Sequence, residues 1–218
     1  MTFSVVARCE TSQMLGMAVS SSSPAVAARC VHARAQVGVV ASQNMTDPAL
    51  GQRGLALLAG GANAPETVAI LRRTGVQLDY RQLAVVDGSG LTAVFTGAKA
   101  FPTAAAAQGV GVACAGNLLA NAEVPRAMVA AFEAASGSLG DRLLGALAAG
   151  LAAGGETRPV RSAGLTLVRE VPWPVAELRV DWSDDPIDHL AELWTLYQPQ
   201  LDDYVQRALD PAAVASRG

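Results

Sequence analysis

The 218-residue chain is short of several things at once. Lys99 is its single lysine, so 15 of its 16 basic residues are arginines; it has two histidines, three cysteines and 5% aromatic side chains. Charged residues make up 16% of the chain and sum to −3, against 51% hydrophobic. Little charge with much hydrophobicity excludes a disordered chain. A negative balance with few aromatics excludes a polycationic or base-stacking nucleic-acid binder. Cys9, Cys30 and Cys114 are widely spaced and form no CxxC pair, which excludes a disulfide scaffold and fits reduced thiols in the cytoplasm. With His32 and His189 as the only imidazoles, neither a metal nor a cofactor is expected. The longest apolar run, Leu143–Ala153, is well short of the roughly 18 residues of a membrane-spanning helix. Met14–Ala28 fails as a signal peptide, because Glu10 lies in its n-region and its apolar core stops at Ser20.

What is abundant is small: 43 alanines and 21 glycines. The length suits a single domain over residues 1–218 with ample core, C-terminal helices over about 183–210, and a frayed tail from 211 to 218. Thr2–Arg8 (TFSVVAR) alternates like a strand, and Leu15–Ser20 and Gln36–Ser42 are further strand candidates. A helical piece follows over about 52–59. Another opens at Asn63-Ala64-Pro65-Glu66, which supplies a capping residue, a first-turn proline and an early acid. Arg81–Asp87 and Leu91–Thr96 flank Gly88-Ser89-Gly90 as a hairpin. Val110–Ala115 reads as a strand, 121–135 and 139–153 as helices, with Ser138-Leu139-Gly140-Asp141 as a capping box opening the second. Ser162–Arg169 and Glu177–Asp181 are late strands, and Asp185-Pro186 starts the terminal helices. Strands arriving in runs favour antiparallel sheets over repeated βαβ units. The fold expected is α+β, two mainly antiparallel sheets with helix layers outside.

The N-terminus carries the most informative chemistry. Met1 precedes the small residue Thr2, a context in which aminopeptidases generally remove the initiator. Thr2 would then hold a hydroxyl and a free α-amine on one residue. With a pKa near ~7.7–8.0, that amine can serve as general base for its own hydroxyl, with no histidine required. Met-Thr is also a common way to begin a protein.

The segments TFSVVAR, LGMAVSSSSPAV, QVGVVASQNMTDPALGQRGLALL, QLAVVDGSGLTAVFTG, GVACAGNLLA, RSAGLTLVR and ELRVDWSDDPIDHL resemble a bacterial family of unknown function placed in the Ntn-hydrolase (N-terminal nucleophile hydrolase) superfamily. The resemblance runs in order from Thr2 to about Leu196. It implies a four-layer αββα sandwich with a nucleophile, here Thr2, at the first residue of a central strand. In proteasome-like relatives the second-strand region carries an acid and the next strand a lysine. Here serines replace the acid, and residues 36–42 hold no lysine, which shifts the base role to the α-amine.

An amide hydrolase also needs donors fixed where negative charge develops. Asn44, in Gln43-Asn44-Met45-Thr46-Asp47 before a helical start, and Asn117, after a strand in Ala-Gly-Asn, are candidates; both residue types also make turns. Ser20 and Ser22 lie at the end of the second strand and, with Gln43, could orient Thr2 or contact substrate. Arg53 and Arg161 are candidates for gripping a substrate carboxylate bidentately. Asp87 and Asp181 read as turn or capping residues. Cys30-Val31-His32 makes a poor thiol–imidazole pair, since residues two apart do not face each other on a helix. The expectation is a cytoplasmic, cofactor-free hydrolase of a small amide or related C–N bond, acting on a small-molecule substrate without nucleic acid or membrane, with a homo-oligomer compatible with its small apolar faces. The alternative is a non-catalytic ligand-binding or assembly protein that keeps the same fold.

Overall fold

A computed structural model describes residues 1–212. The first run of elements is β1 (Thr2–Arg8), β2 (Leu15–Ser21), a short α1 (Ala27–Cys30), β3 (Val31–Arg34), β4 (Gly38–Asn44), α2 (Pro48–Ala59) and α3 (Ala64–Thr74). Then come β5 (Arg81–Asp87), β6 (Thr92–Thr96), β7 (Ala105–Gly109), β8 (Val112–Asn117), α4 (Val124–Ala134) and α5 (Leu139–Ala152). Last are β9 (Ser162–Val168), β10 (Ala176–Val180), α6 (Pro186–Tyr197) and α7 (Leu201–Leu209). Strand order is β10-β9-β2-β1-β8-β7 in one sheet and β3-β4-β5-β6 in the other. Every pairing between these strands is antiparallel, so the mixed α+β class with two antiparallel sheets holds.

Strand alternation sorts the side chains, because successive residues point to opposite faces. On β1, Phe3, Val5 and Ala7 pack with Met128 and Phe132 of α4 and Leu143 and Leu147 of α5. Val6 turns the other way, with Met17, Val19, Ala113 and Ala115 of the same sheet, and meets Val39, Ala41, Ala84 and Val86 of the second sheet. The outer face of that second sheet, through Val40, Val85 and Ala93, packs on Leu55 and Leu58 of α2 and Ala64 and Val68 of α3. Alanines on both inner faces let the sheets approach closely, which gives the high alanine content a packing use.

The helix starts follow local chemistry. Asn63 and Glu66 form the expected capping box at α3, and Ser138 and Asp141 form one at α5. Asp47 caps α2 by accepting from Ala49 N at 3.0 Å, with Pro48 in the first turn. That cap starts α2 at Pro48, about a turn before the expected 52.

Three expectations need correction. The strand expected over 36–42 is shifted to β4, because Gln36 adopts φ 62° in the turn after β3. The strand expected over 110–115 runs from 112 to 117, because Gly111, at φ +67°, makes the β7–β8 turn. Asn117 therefore ends a strand rather than following one. β3 and β7 had no strand expectation: VHAR is only four residues and AAAQG lacks β-branched side chains. Of the tail expected to fray, Pro211 and Ala212 are exposed, and 213–218 lie outside the described residues. Among the described residues no helix is long and apolar enough to cross a membrane.

Candidate functional site

Thr2 is the first residue of β1, an interior strand flanked by β2 and β8, and is 3% exposed. Its position in the alternation puts it with Ser4 and Val6 on the face turned toward the second sheet. Directly across the β1–β8 ladder from Thr2 is Asn117. Asn117 is on the inter-sheet face of β8, the side it shares with Ala113 and Ala115.

Between the sheets at this end lies a chain of buried polar side chains. The Ser4 hydroxyl donates to Gln43 Oε1 at 2.7 Å, and Gln43 Nε2 donates to Gln82 Oε1 at 2.8 Å. Asn117 Nδ2 donates to the same Gln82 oxygen at 3.1 Å. Gln82 Nε2 is held by the carbonyl of Gly116 at 2.9 Å. Ser4, Gln43, Gln82 and Asn117 are all fully buried. A buried network of this kind is stable only when its members are paired, since each unpaired group costs about 1–3 kcal/mol. Two atoms nearby are not paired: Asn117 Oδ1 and Ser22 Oγ.

A carboxylate completes the N-terminal end of this region. Gly154 and Gly155, at φ +119° and +56°, reverse the chain after α5 and lay Glu156 beside Leu119. Glu156 is 6% exposed and accepts from Ser22 N at 3.2 and 3.3 Å. Burial pushes its carboxyl above the usual glutamate value, partly offset by Ser22, by the positive N-terminus and by Arg158. The Ser21 hydroxyl donates to the carbonyl of Met1, and Arg161 N donates to the carbonyl of Ser21 at 2.7 Å. Met1, Ser21, Ser22, Glu156 and Arg161 thus gather at one edge.

The sequence candidates divide accordingly. Thr2, Gln43 and Asn117 share the inter-sheet region, and Ser22 is at its N-terminal edge. Ser20 pairs with Phe3 on the opposite face, where its hydroxyl donates to Ser162 O at 3.0 Å. Asn44 is left-handed at φ 68°, with Nδ2 donating to Tyr80 O at 2.5 Å and Oδ1 accepting from Phe101 N at 3.2 Å. Its amide is therefore committed to two neighbouring loops. Arg161 pairs with Asp184 and lies over Trp182 at 5.8 Å. Arg53 projects from α2 to Thr74 Oγ1 at 2.8 Å, on the far side of the second sheet.

Asp87 is a turn and capping residue, bound to the N–H groups of Ala64, Ser89 and Leu91 and the Ser89 hydroxyl. Burial works to raise its pKa, and these bonds outweigh it and lower it. Asp181 pairs with Arg179. Cys30 and His32 go separate ways: the thiol faces Thr46 Oγ1 at 3.5 Å, and the ring faces Gln52 at 3.3 Å. Cys9, Cys30 and Cys114 are free thiols. Among the described residues no group of three or more His, Cys, Asp or Glu is placed to hold a metal.

Gln82, Ser4 and Glu156 escaped the sequence reading. For Gln82 a signal existed: it is a polar residue on the register of Ala84 and Val86 in its strand. Ser4 shares its register with Thr2 and Arg8 and reads as part of the polar face. Glu156 is a lone acid after Gly-Gly, and nothing in the sequence near it points to the N-terminus.

A family model described as a family of unknown function, DUF1028, matches residues 2–190. Among solved structures, the crystal structure of protein SPO2555 from Silicibacter pomeroyi, assigned to the same family, is 28% identical with a TM-score of 0.85, covering 90% of this chain and 85% of that one. Anbu (ancestral beta-subunit) from Yersinia bercovieri is 13% identical with a TM-score of 0.38, over 94% of this chain and 97% of that one. No curated protein matches the chain. The chain belongs to the family of unknown function DUF1028.

Proposed function

We propose that this DUF1028 member is an Ntn-type hydrolase of a small amide or related C–N bond, with Thr2 as nucleophile once Met1 is removed. The layout we infer is a four-layer αββα sandwich in one domain. What supports it is the three apolar interfaces: helices on one sheet, sheet on sheet, helices on the other sheet. The observation that carries the reaction is the place of Thr2, buried at the first position of an interior strand and on the face shared with a polar network.

In the reaction, Thr2 Oγ1 attacks the substrate carbonyl while its proton passes to the free α-amine of the same residue. The carbonyl π pair moves to oxygen. The α-ammonium then gives its proton to the leaving nitrogen, the C–N bond breaks, and an ester on Thr2 remains. Water adds to that ester, again losing a proton to the α-amine, and release of the acid returns the proton to Oγ1. Glu156, with its buried carboxylate near the N-terminus, takes the place of the acid that proteasome-like relatives carry on the second strand. Asn117 is a positioning or oxyanion-stabilising group, and Asn44 acts through the two loops it ties together. Arg161 stands at the rim as the carboxylate-binding candidate. The free thiols support a cytoplasmic location.

A broad β-lactone probe tests this reading. An acyl adduct mapping to Thr2, lost in Thr2→Ala and kept in Thr2→Ser, is the expected result. Labelling that persists unchanged in Thr2→Ala contradicts it. One observation favours a second reading, ligand binding without catalysis. A cavity of about 550 Å³ lined by Cys9, Met14, Arg142, Trp194 and Leu201 opens toward the other end of β1.

A further inference from the structure

The amides between the sheets are not free to face either way. Gln82 Nε2 shares its two hydrogens among three acceptors, the carbonyls of Gly116 at 2.9 Å and Ala105 at 3.3 Å and Thr96 Oγ1 at 3.1 Å. A main-chain carbonyl only accepts, so the nitrogen of Gln82 is fixed on that side and its oxygen on the other. Two amides converge on that one oxygen, Gln43 Nε2 at 2.8 Å and Asn117 Nδ2 at 3.1 Å. Turning either around would set oxygen against oxygen. The Gln43 oxygen then receives the Ser4 hydroxyl at 2.7 Å. The Asn117 oxygen receives nothing, although Asn117 is 0% exposed. Buried amide oxygens rarely go without a donor, and one that does calls for an explanation. The neighbour on its own face of the sheet is Thr2, paired with Asn117 in register.

We propose that Gln82 is a positioning residue that presents the carbonyl oxygen of Asn117, rather than its N–H, to the α-amine of Thr2. The inference rests on Thr2 being a processed N-terminal residue. Asn117 then accepts a hydrogen bond from the amine, leaving the amine lone pair for the Thr2 hydroxyl proton. When the amine takes that proton, the same oxygen stabilises the ammonium. Asn117 acts as an acceptor for the base, and Gln82, on β5 of the other sheet, fixes its orientation through their direct hydrogen bond.

The test titrates the Thr2 α-amine by ¹⁵N NMR in processed, [¹⁵N]threonine-labelled protein. Losing the acceptor in Asn117→Leu should lower the amine pKa by about one unit, a tenfold change in proton affinity. Gln82→Met, which frees the Asn117 amide to turn, should move it in the same direction. Asn117→Asp keeps an acceptor, adds charge and loses the donor, so the pKa should rise. Were Asn117 instead an oxyanion donor, Asn117→Leu and Gln82→Met would titrate like the wild type, and only Asn117→Asp would move, through its added charge. Wild-type titrations in Asn117→Leu and Gln82→Met, in a protein whose Thr2 is still acylated by the β-lactone, overturn the inference and leave the hydrolase reading standing. Retention of Met1, or a wild-type Thr2 that the lactone never acylates, overturns both. If Gln82→Met fails to fold by far-UV circular dichroism, Asn117→Leu decides the matter, with the upward shift in Asn117→Asp showing that this position reaches the amine.

Discussion

Thr2 and Asn117 face one another across the β1–β8 ladder, on the side of the sheet turned to its partner sheet. Two residues 115 positions apart in the chain become neighbours because β1 is interior and takes β8 on its free side. The pairing also explains why the end of this strand pair is polar. The mid-strand positions are filled by Val6, Ala113 and Ala115, while the end is filled by Ser4, Gln43, Gln82 and Asn117. The apolar part holds the sheets together, and the polar part fixes their register at the end where Thr2 lies.

Asp87 ties the β5–β6 turn to the start of α3 through four hydrogen bonds from Ala64, Ser89 and Leu91. Asp87→Ala should destabilise the protein by about 2–3 kcal/mol, since it removes a charged acceptor and leaves a buried N–H unpaired. Because the folded pKa is lowered, this contribution is present above the ordinary aspartate value and fades as pH falls through the folded value. Urea denaturation of wild type and variant at neutral and acidic pH should show the gap narrowing in acid.

Glu156 has the opposite sign. Its folded pKa is raised by burial, so above the ordinary glutamate value the folded state holds more proton than the unfolded state. Stability contributed by this group therefore falls as pH rises through that window. Glu156→Gln keeps an acceptor for Ser22 N and removes the ionisation. The variant should lose this part of the pH dependence and be more stable than wild type at neutral pH, as read by thermal unfolding across a pH series.

His32 and Gly51 pack against one another with no room to spare. A Cβ built on Gly51 would lie 1.9 Å from His32 Cδ2, and 2.3 Å from Cγ. Gly51→Ala should therefore destabilise by about 1–3 kcal/mol through overpacking. His32→Ala combined with Gly51→Ala should recover part of that loss, giving a non-additive double-mutant cycle in denaturant unfolding.

Much of the fold was legible in the sequence. Alternation exposed β1, the hairpin around Gly88-Ser89-Gly90 announced β5 and β6, and Asn63 and Ser138 marked the starts of α3 and α5. Two of the four edge strands were harder to read: β3 is four residues long and β7 is built largely of alanine, whereas β6 and β10 carry β-branched or leucine side chains. Of the candidate site, Thr2, Gln43 and Asn117 could be singled out as residue types near strand ends. Their meeting could not, since Gln82 and Glu156 join them only through long-range pairing of the sheets and the reversal at Gly154-Gly155. The alternation that buried Gln82 was visible, but its partners lay in another sheet. Arg53 shows the converse: its guanidinium suggested a grip on a carboxylate, and its place on α2 carried the side chain to Thr74 at the end of α3 instead.

Everything proposed for Thr2 depends on its α-amine being free. Intact-mass analysis of the protein isolated from the organism that makes it tests this most directly. The expected result is a single species lighter than the full sequence by one methionine, with Thr2 at its N-terminus. A population that retains Met1 throughout would contradict the Thr2 mechanism.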